Sequence, residues 1–324
     1  MNVLSLCDGM SCGHIALELA GFEVDKYFAS EIKKHAIRVT KTNFPDTIHI
    51  GNVLNVSYKD GVLHTENGDF ETQIDLVCFG SPCQSFSRAM KDEMRIGLDD
   101  PVRSGLFYEC KRVLDEVKPK YFLLENVVMR EEDENYLTQQ MGVEPIRINS
   151  AIVTGQIRER LYWTNIPYTP IQKRHITQED ILDKELGGYM SSFPTRCLVA
   201  NDSHGYYNDK NENRNFYHTV RRQATTGFIN YVVKSKQQFQ EFQTNLSLGR
   251  KDKEFYSDLR FFTKYERARL QGCPEHFADC MTEKEAADLF GDGWTCSVIA
   301  HIFKGMHSGE VCTLKQLTFD DLFN

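Results

Sequence analysis

Asn2-Val3-Leu4-Ser5-Leu6-Cys7-Asp8-Gly9-Met10-Ser11-Cys12-Gly13 is the stretch that decides the fold. A short apolar run, Asn2–Leu6, ends in an Asp-Gly turn. Cys12–Gly21 then carries His14, Ile15, Leu17 and Leu19 at helical spacing. Strand, tight turn and helix in that order make the first half of a β-α unit. Small residues in the turn let backbone amides approach a ligand at the helix N-terminus. The turn departs from the G-x-G-x-x-G dinucleotide fingerprint, which weakens a pyrophosphate-binding reading. An ordinary β-α connection remains the competing interpretation of this turn taken alone.

The same unit recurs downstream. Lys26–Ser30 reads as a second strand and Lys33–Asn43 as a helix stopped by Pro45. Ile74–Phe79 has a buried-strand pattern, Ser104–Val117 is helical, and Tyr121–Leu124 and Leu161–Thr164 are further strands. Repetition of this kind predicts an α/β fold: a Rossmann-like, mostly parallel sheet with helices on both faces and ligands at the carboxyl ends of the strands. From about Pro167 the pattern decays. Asn201–Asn215 is rich in Asn, Asp, Gly and Tyr and reads as loop, Thr219–Val233 as a β-hairpin, and helical character returns near Phe261 and ends in Trp294–Phe303. Internal repeats and low-complexity tracts are absent.

Composition narrows the class. The 324 residues are 41% hydrophobic and 26% charged, ordinary values for a globular chain. No apolar run approaches the roughly 20 residues of a membrane helix, and the N-terminus lacks the features of a secretory signal. Ten cysteines occur without paired Cys-x-x-Cys spacing, which predicts neither a metal site nor a disulfide framework and favours a reducing compartment. Net charge is −8, yet residues 168–260 hold 14 Lys/Arg against 11 Asp/Glu, while the remainder holds 24 against 35. The middle is therefore the relatively basic part, weak support for a segment that faces nucleic acid.

Four further elements carry candidate chemistry. Glu31 ends the second strand, where an acidic residue typically accepts from ribose hydroxyls; a solvated Glu is the alternative. Gly80-Ser81-Pro82-Cys83-Gln84-Ser85-Phe86-Ser87 follows the Ile74–Phe79 strand, and a cysteine held after a proline at a strand's carboxyl end suits a nucleophile. A buried structural cysteine is the commoner fate of that residue. Glu125-Asn126-Val127 closes the Tyr121–Leu124 strand, either as a general acid at the cleft edge or as a cap on the next helix. Gln156-x-Arg158-x-Arg160 enters a strand with alternate residues on one face, able to grip phosphate or a base edge, or else forming the polar face of an edge strand.

Taken in order, these elements resemble the C5-cytosine DNA methyltransferase family. The resemblance runs through Asp8–Gly13, Glu31, Gly80–Gln84, Glu125–Val127, Gln156–Arg160, Arg267-x-Arg269-Leu270-Gln271-Gly272-x-Pro274, and Gly291-x-x-Trp294 with Val298. It covers about residues 1–166 and 260–306. The Asp-Gly start and the Trp294 segment look more like the catalytic domain of the animal de novo enzymes than like typical restriction-system methylases. Two positions depart from the family: Cys7 stands where Phe is usual, and Asn52 where an Asp usually accepts from the adenine amino group, although an Asn carbonyl still accepts.

The resemblance implies a class I S-adenosylmethionine-dependent fold with a smaller β-rich target-recognition domain. Its expected layout is a catalytic cofactor-binding domain over 1–167, target recognition over 168–260, and a C-terminal segment 261–324 completing the catalytic domain. It implies transfer of a methyl group from S-adenosyl-L-methionine to carbon 5 of a flipped-out cytosine. Cys83 matches the nucleophile, with Pro82 and Asn126 beside it. Glu125 matches the acid at ring nitrogen N3, Arg160 the group on the base carbonyl, and Arg158 a support for the catalytic loop. Asp8, Gly9, Gly13, Glu31, Ile32, Asn52, Val53, Leu106 and Trp294 match cofactor contacts. Gln84, Ser87, Arg221, Arg222, Gln223 and Thr225 are the expected DNA contacts.

The expected partner is double-stranded DNA, with no metal and no membrane, and the chain is expected to act as a monomeric, free-standing unit of the restriction-modification kind. Such a unit would work in the cytoplasm of a bacterial or phage-infected cell, or in the nucleus of a eukaryote. An RNA cytosine methyltransferase is the nearest rival; those acting on transfer RNA usually carry a Cys-Phe-Thr element that is missing here. A non-catalytic cofactor-binding regulator is disfavoured by the joint retention of Cys83, Glu125 and Arg160.

Overall fold

The computed structural model describes residues 1–82, 105–190, 193–198, 232–233, 235–247 and 260–311. Contacts divide the chain into two compact units: Met1–Asn149 with Glu159–Pro170 and the chain from Cys296 on, and Ser150–Arg158 with Ile171–Thr295. Residues 261–295 thus pack in the second unit, so the compact units do not coincide with the division by role at 167/168 and 260/261.

The first unit is built on a seven-stranded sheet. Its strands are β1 (Asn2–Leu6), β2 (Lys26–Ser30), β3 (Ile48–Gly51), β7 (Leu76–Phe79), β8 (Tyr121–Val127), β9 (Ile146–Asn149) and β11 (Glu159–Thr164), in the order β3-β2-β1-β7-β8-β11-β9. The five strands from β3 to β8 pair in parallel, and β11 runs antiparallel to both β8 and β9. The expected α/β sheet, mostly parallel, is what forms. Strand order reverses between β1 and β7, and open α/β sheets bind ligands outside the carboxyl ends at such a switch point.

Alternation along the strands supplies the core. Leu4, Leu6, Phe28, Ile50, Val77, Phe79, Phe122 and Leu124 share one buried cluster with Phe107, Cys110, Val113 and Leu114 of helix α3 (Leu106–Val117). The opposite face carries helices α1 (Cys12–Ala20) and α2 (Lys34–Asn43), where His14 stacks between Tyr27 and Phe44. Burial there lowers the His14 pKa to about 4, so the ring packs as a neutral aromatic. Helix α4 (Glu131–Met141) puts four acidic residues in its first turn, where the helix dipole favours them.

A three-stranded meander that the sequence reading did not identify lies between β3 and β7: β4 (Ser57–Lys59), β5 (Val62–Thr65) and β6 (Gly68–Glu71). Its first turn has Asp60 and Gly61 at φ of 51° and 83°, the two positive values a tight hairpin turn demands.

In the second unit, β10 (Gln156–Ile157) pairs with β13 (Thr195–Arg196), and β12 (Tyr189–Met190) with β14 (Val232–Val233). Val232–Val233 are the only described residues of the expected Thr219–Val233 hairpin; the rest lies outside the described residues. Helices α5 (Lys236–Ser247), α6 (Lys264–Leu270) and α7 (Glu283–Asp292) follow. Thr263 and Thr282 close reciprocal caps with Glu266 and Glu285 at the starts of α6 and α7. The chain returns to the first unit with α8 (Cys296–Phe303), which packs on α1. Among the described residues no helix is long and apolar enough to cross a membrane.

Candidate active site

Both halves of the first-unit site sit at carboxyl ends of the parallel strands. On the β1–β3 side, the turn after β1 places Cys7, Gly9 and Ser11 at positive φ (56°, 62° and 61°). Two of those residues are not glycine, and left-handed backbone there costs on the order of 1 kcal/mol each, the kind of strain that collects at functional sites. The Glu31 carboxylate holds this turn to β2: one oxygen accepts from Gly9 N at 2.7 Å, the other from Ile32 N and Lys33 N at 2.7 and 2.8 Å. The remaining lone pair, on the oxygen that accepts from Gly9, is open to a hydroxyl donor.

Asp8 is buried beneath the turn. Tyr27 Oη donates to one of its oxygens at 2.8 Å and Ser11 Oγ to the other; Ser11 Oγ also meets Thr40 Oγ1 at 3.1 Å. Burial nevertheless dominates, and Glu31 adds repulsion, so the Asp8 pKa rises to about 6 despite the bonds from Ser11, Ser5 and Tyr27. The folded chain therefore binds this proton more tightly than the unfolded chain. Stability from it is complete below the ordinary value of 3.8 and is lost as pH rises through about 6. Asp8→Asn should remove that slope: between pH 3.5 and 7.5 the variant gains about 3 kcal/mol on the wild type, at about 1.4 kcal/mol per pKa unit. Denaturant melts across that range measure it, and parallel stability curves for the two proteins would refute the buried titration.

Asn52 follows β3 directly. Its Oδ1 accepts from Leu54 N at 3.1 Å and caps the short helical turn Val53–Asn55. Val53 is buried, whereas Leu54 and Ile32 are 54% and 68% exposed, two large apolar side chains open at the ends of neighbouring strands. Leu106 is half-buried at the start of α3, and Gly13 is buried in the first turn of α1.

On the β7–β8 side, Glu125 and Asn126 lie within β8, which runs on to Val127; the helix-cap alternative fails, because α4 begins only at Glu131. Asn126 Nδ2 donates to Ser81 Oγ at 3.2 Å and its Oδ1 accepts from Val127 N, tying β8 to the residue before half-buried Pro82. Arg160 Nε lies 3.1 Å from Glu125 Oε1, with only 14% and 10% of the two side chains exposed. Cys83, Gln84 and Ser87 lie outside the described residues, as do Arg221, Arg222, Gln223 and Thr225.

The reading of Gln156, Arg158 and Arg160 as one polar strand face needs correction. The strand breaks at Arg158: β10 pairs with β13 in the second unit, while β11 joins the main sheet beside β8. Gln156 is fully buried, donating to Leu270 O at 3.0 Å and accepting from Leu198 N at 2.8 Å. Arg158 is buried too, its guanidinium on the carbonyls of Leu198, Gly291 and Gly293. Two of those carbonyls close the C-terminus of α7, where a cation offsets the helix dipole. Arg158 is therefore a strut of the second unit, and of the three only Arg160 stands beside Glu125. Trp294 is half-buried in the second unit, two residues before α8. Sequence reasoning missed Tyr27 and Ser81, which fix Asp8 and Asn126; a partner brought in from another strand leaves no local signal.

The family profile described as C-5 cytosine-specific DNA methylase matches residues 1–144 and 154–308. The chain belongs to that family. It is 28% identical over 307 residues to the type II methyltransferase M1.ScrFI of Lactococcus lactis subsp. cremoris, covering 88% of this chain and 72% of that protein. It is 25% identical to the type II methyltransferase M.NlaX of Neisseria lactamica, covering 94% and 96%. Among solved structures, the Dnmt2 methyltransferase of S. pombe superposes with a TM-score of 0.62 at 17% identity, covering 96% of this chain and 99% of that one. A DNA modification methyltransferase encoded within an E. coli prophage gives 0.60 at 20% identity, covering 95% and 99%. At these identities the structural likeness speaks for the fold.

Proposed function

We propose that the protein methylates carbon 5 of cytosine in double-stranded DNA, using S-adenosyl-L-methionine, in the manner of a free-standing restriction-modification methyltransferase of the cytoplasm. The observation that carries this reading is the Glu125–Arg160 pair beside the Ser81-Pro82 strand end, in a chain of the C-5 cytosine-specific DNA methylase family. The β1–β3 side fits the cofactor: exposed Ile32 and Leu54 offer apolar surface to a purine, Glu31 has acceptor capacity for ribose hydroxyls, and Asn52 has a second lone pair for an amino group. When bound, S-adenosylmethionine would supply an electrophilic methyl group, the electron pair of the broken S–CH3 bond staying on sulfur, which leaves as a neutral thioether.

The chain's own residues do the rest. The Cys83 thiolate adds to carbon 6 of the flipped base, and the electron pair moves to carbon 5 while Glu125 holds the proton at N3. Arg160 bonds the base carbonyl. After carbon 5 gains the methyl group, a base removes its proton, the pair reforms the 5,6 double bond, and Cys83 leaves. The division by role assigns 1–167 and 261–324 to this chemistry and 168–260 to target recognition. DNA with 5-fluorocytosine at the methylated site tests the scheme: fluorine cannot leave as a proton, so a denaturation-resistant protein–DNA band forms. Labelled methyl transfer to DNA and to transfer RNA in parallel separates the two substrate classes; transfer to RNA alone would overturn the DNA assignment.

Target reading falls to Arg221, Arg222 and Gln223, whose side chains suit bidentate bonds to guanine and adenine. Losing a base contact relaxes specificity at one position, by about 1–3 kcal/mol, whereas losing a phosphate contact weakens all sequences alike and flattens the salt dependence. Methylation profiles of the three alanine variants should show the first behaviour for at least one residue. Unchanged profiles in all three would move recognition to another segment, such as Asn201–Asn215.

A further inference from the structure

The β4–β6 meander meets the loop after β3 through its second turn. Glu66 Oε1 accepts from Asn52 N at 2.8 Å, and Glu66 Oε2 accepts from Asn55 Nδ2, also at 2.8 Å. The next residue, Asn67, donates from Nδ2 to His49 O at 2.9 Å. Three bonds from two adjacent side chains therefore hold β3 at His49 and the turn Val53–Asn55 at its cap, Asn52, and its last residue, Asn55. The Glu66 carboxyl lies over Gly51, so closely that a Cβ there would collide with Oε1. Gly51 also has a φ of +80°, so glycine both allows the backbone turn and leaves the seat that Glu66 fills. The Asn52 and Asn55 donors hold the Glu66 carboxyl below its ordinary range, which keeps it an acceptor.

The consequence concerns Asn52. Its backbone N–H is engaged by Glu66 and its Oδ1 by Leu54 N, so the direction of the remaining Oδ1 lone pair is set by the turn, and the turn is set by Glu66. Leu54, the exposed apolar residue between the two asparagines, is carried by the same turn.

We infer that Glu66 is a positioning residue for cofactor binding: from the meander it latches the Asn52–Asn55 turn in the shape that receives the purine end of the ligand. The inference rests on the S-adenosylmethionine reading of this side of the site, and touches neither Glu125 nor the Pro82 strand end.

The test uses the full-length protein, calorimetric titration with S-adenosylmethionine, and steady-state kinetics with cofactor and DNA varied separately. Glu66→Ala should raise the Kd for S-adenosylmethionine about five- to twenty-fold, as expected when the turn holds its binding shape for only about a fifth to a twentieth of the time. The KM for cofactor should rise in step, while the KM for DNA and kcat at saturation stay within about two-fold, since binding alone is lost. Glu66→Gln, whose amide oxygen still accepts from Asn52 N, should recover most of the affinity. Unchanged affinity in Glu66→Ala overturns the latch. So does a fall in thermal midpoint accompanied by equal losses in kcat and both KM values, with Glu66→Gln no better than Glu66→Ala. If the wild type itself binds no S-adenosylmethionine, the cofactor reading falls and takes the latch with it.

Discussion

Cys83→Ala abolishes methyl transfer to DNA, by at least about 10⁴-fold, as expected when the covalent nucleophile is removed. Affinity for S-adenosylmethionine stays within about two-fold of wild type, a change too small to alter binding free energy by much. The separation follows from strand order. Of the expected cofactor residues, Asp8, Gly9, Gly13, Glu31, Ile32, Asn52 and Val53 follow β1, β2 and β3, whereas Ser81 and Pro82 extend from β7, with β8 and Glu125 beyond. A change in the loop after Pro82 thus leaves the Glu31 bonds to Gly9, Ile32 and Lys33 in place. The two readouts are labelled methyl transfer and calorimetric titration, and the covalent 5-fluorocytosine band should vanish along with activity. Activity near wild type would remove Cys83 from the mechanism. Loss of cofactor binding in the same variant would mean that the loop also builds the cofactor side.

What could be read before the structure was whatever hydrophobic periodicity and local turn chemistry encode. The β1 run, the glycine turn and α1 are contiguous, so one window contains the whole unit. Glu31 was legible for the same reason, as the acidic end of an apolar strand. The residue pattern ends β8 three residues early, because Glu125 and Asn126 look like the end of a strand; they continue it because β11 pairs alongside, with Tyr162 opposite Glu125 and Leu161 opposite Asn126. The break at Arg158 was equally invisible, since alternation persists through it and only the hydrogen-bond partners change. The β4–β6 meander had readable signals in Asp60-Gly61 and Asn67-Gly68, each next to short strand-like runs. Glu66 could have been placed in a hairpin turn from those signals, but not over Gly51, which is fifteen residues away in sequence.

Glu125→Gln keeps the size of the side chain while removing its charge and proton, and should lower kcat about 10²–10⁴-fold, the usual contribution of a general acid. Arg160→Ala should lower activity as well, yet it confounds two effects, because it also removes the cation beside the largely buried Glu125 carboxylate. Breaking such a pair from one side costs about 3–5 kcal/mol when burial is complete, and somewhat less with the 10–14% exposure found here. The combination Glu125→Gln/Arg160→Ala separates them. With no carboxylate left to strand, thermal stability should recover toward that of Glu125→Gln alone, a coupling that a double-mutant cycle on denaturation midpoints reads directly. Methyl transfer should stay at or below the level of the weaker single variant, since the proton at N3 and the bond to the base carbonyl are both gone. On the proposed mechanism the wild-type ion pair holds the two groups side by side until a base offers N3 to one and its carbonyl to the other. Recovery of activity together with stability in the double variant would make the pair a strut between β8 and β11, and the acid would have to be sought elsewhere.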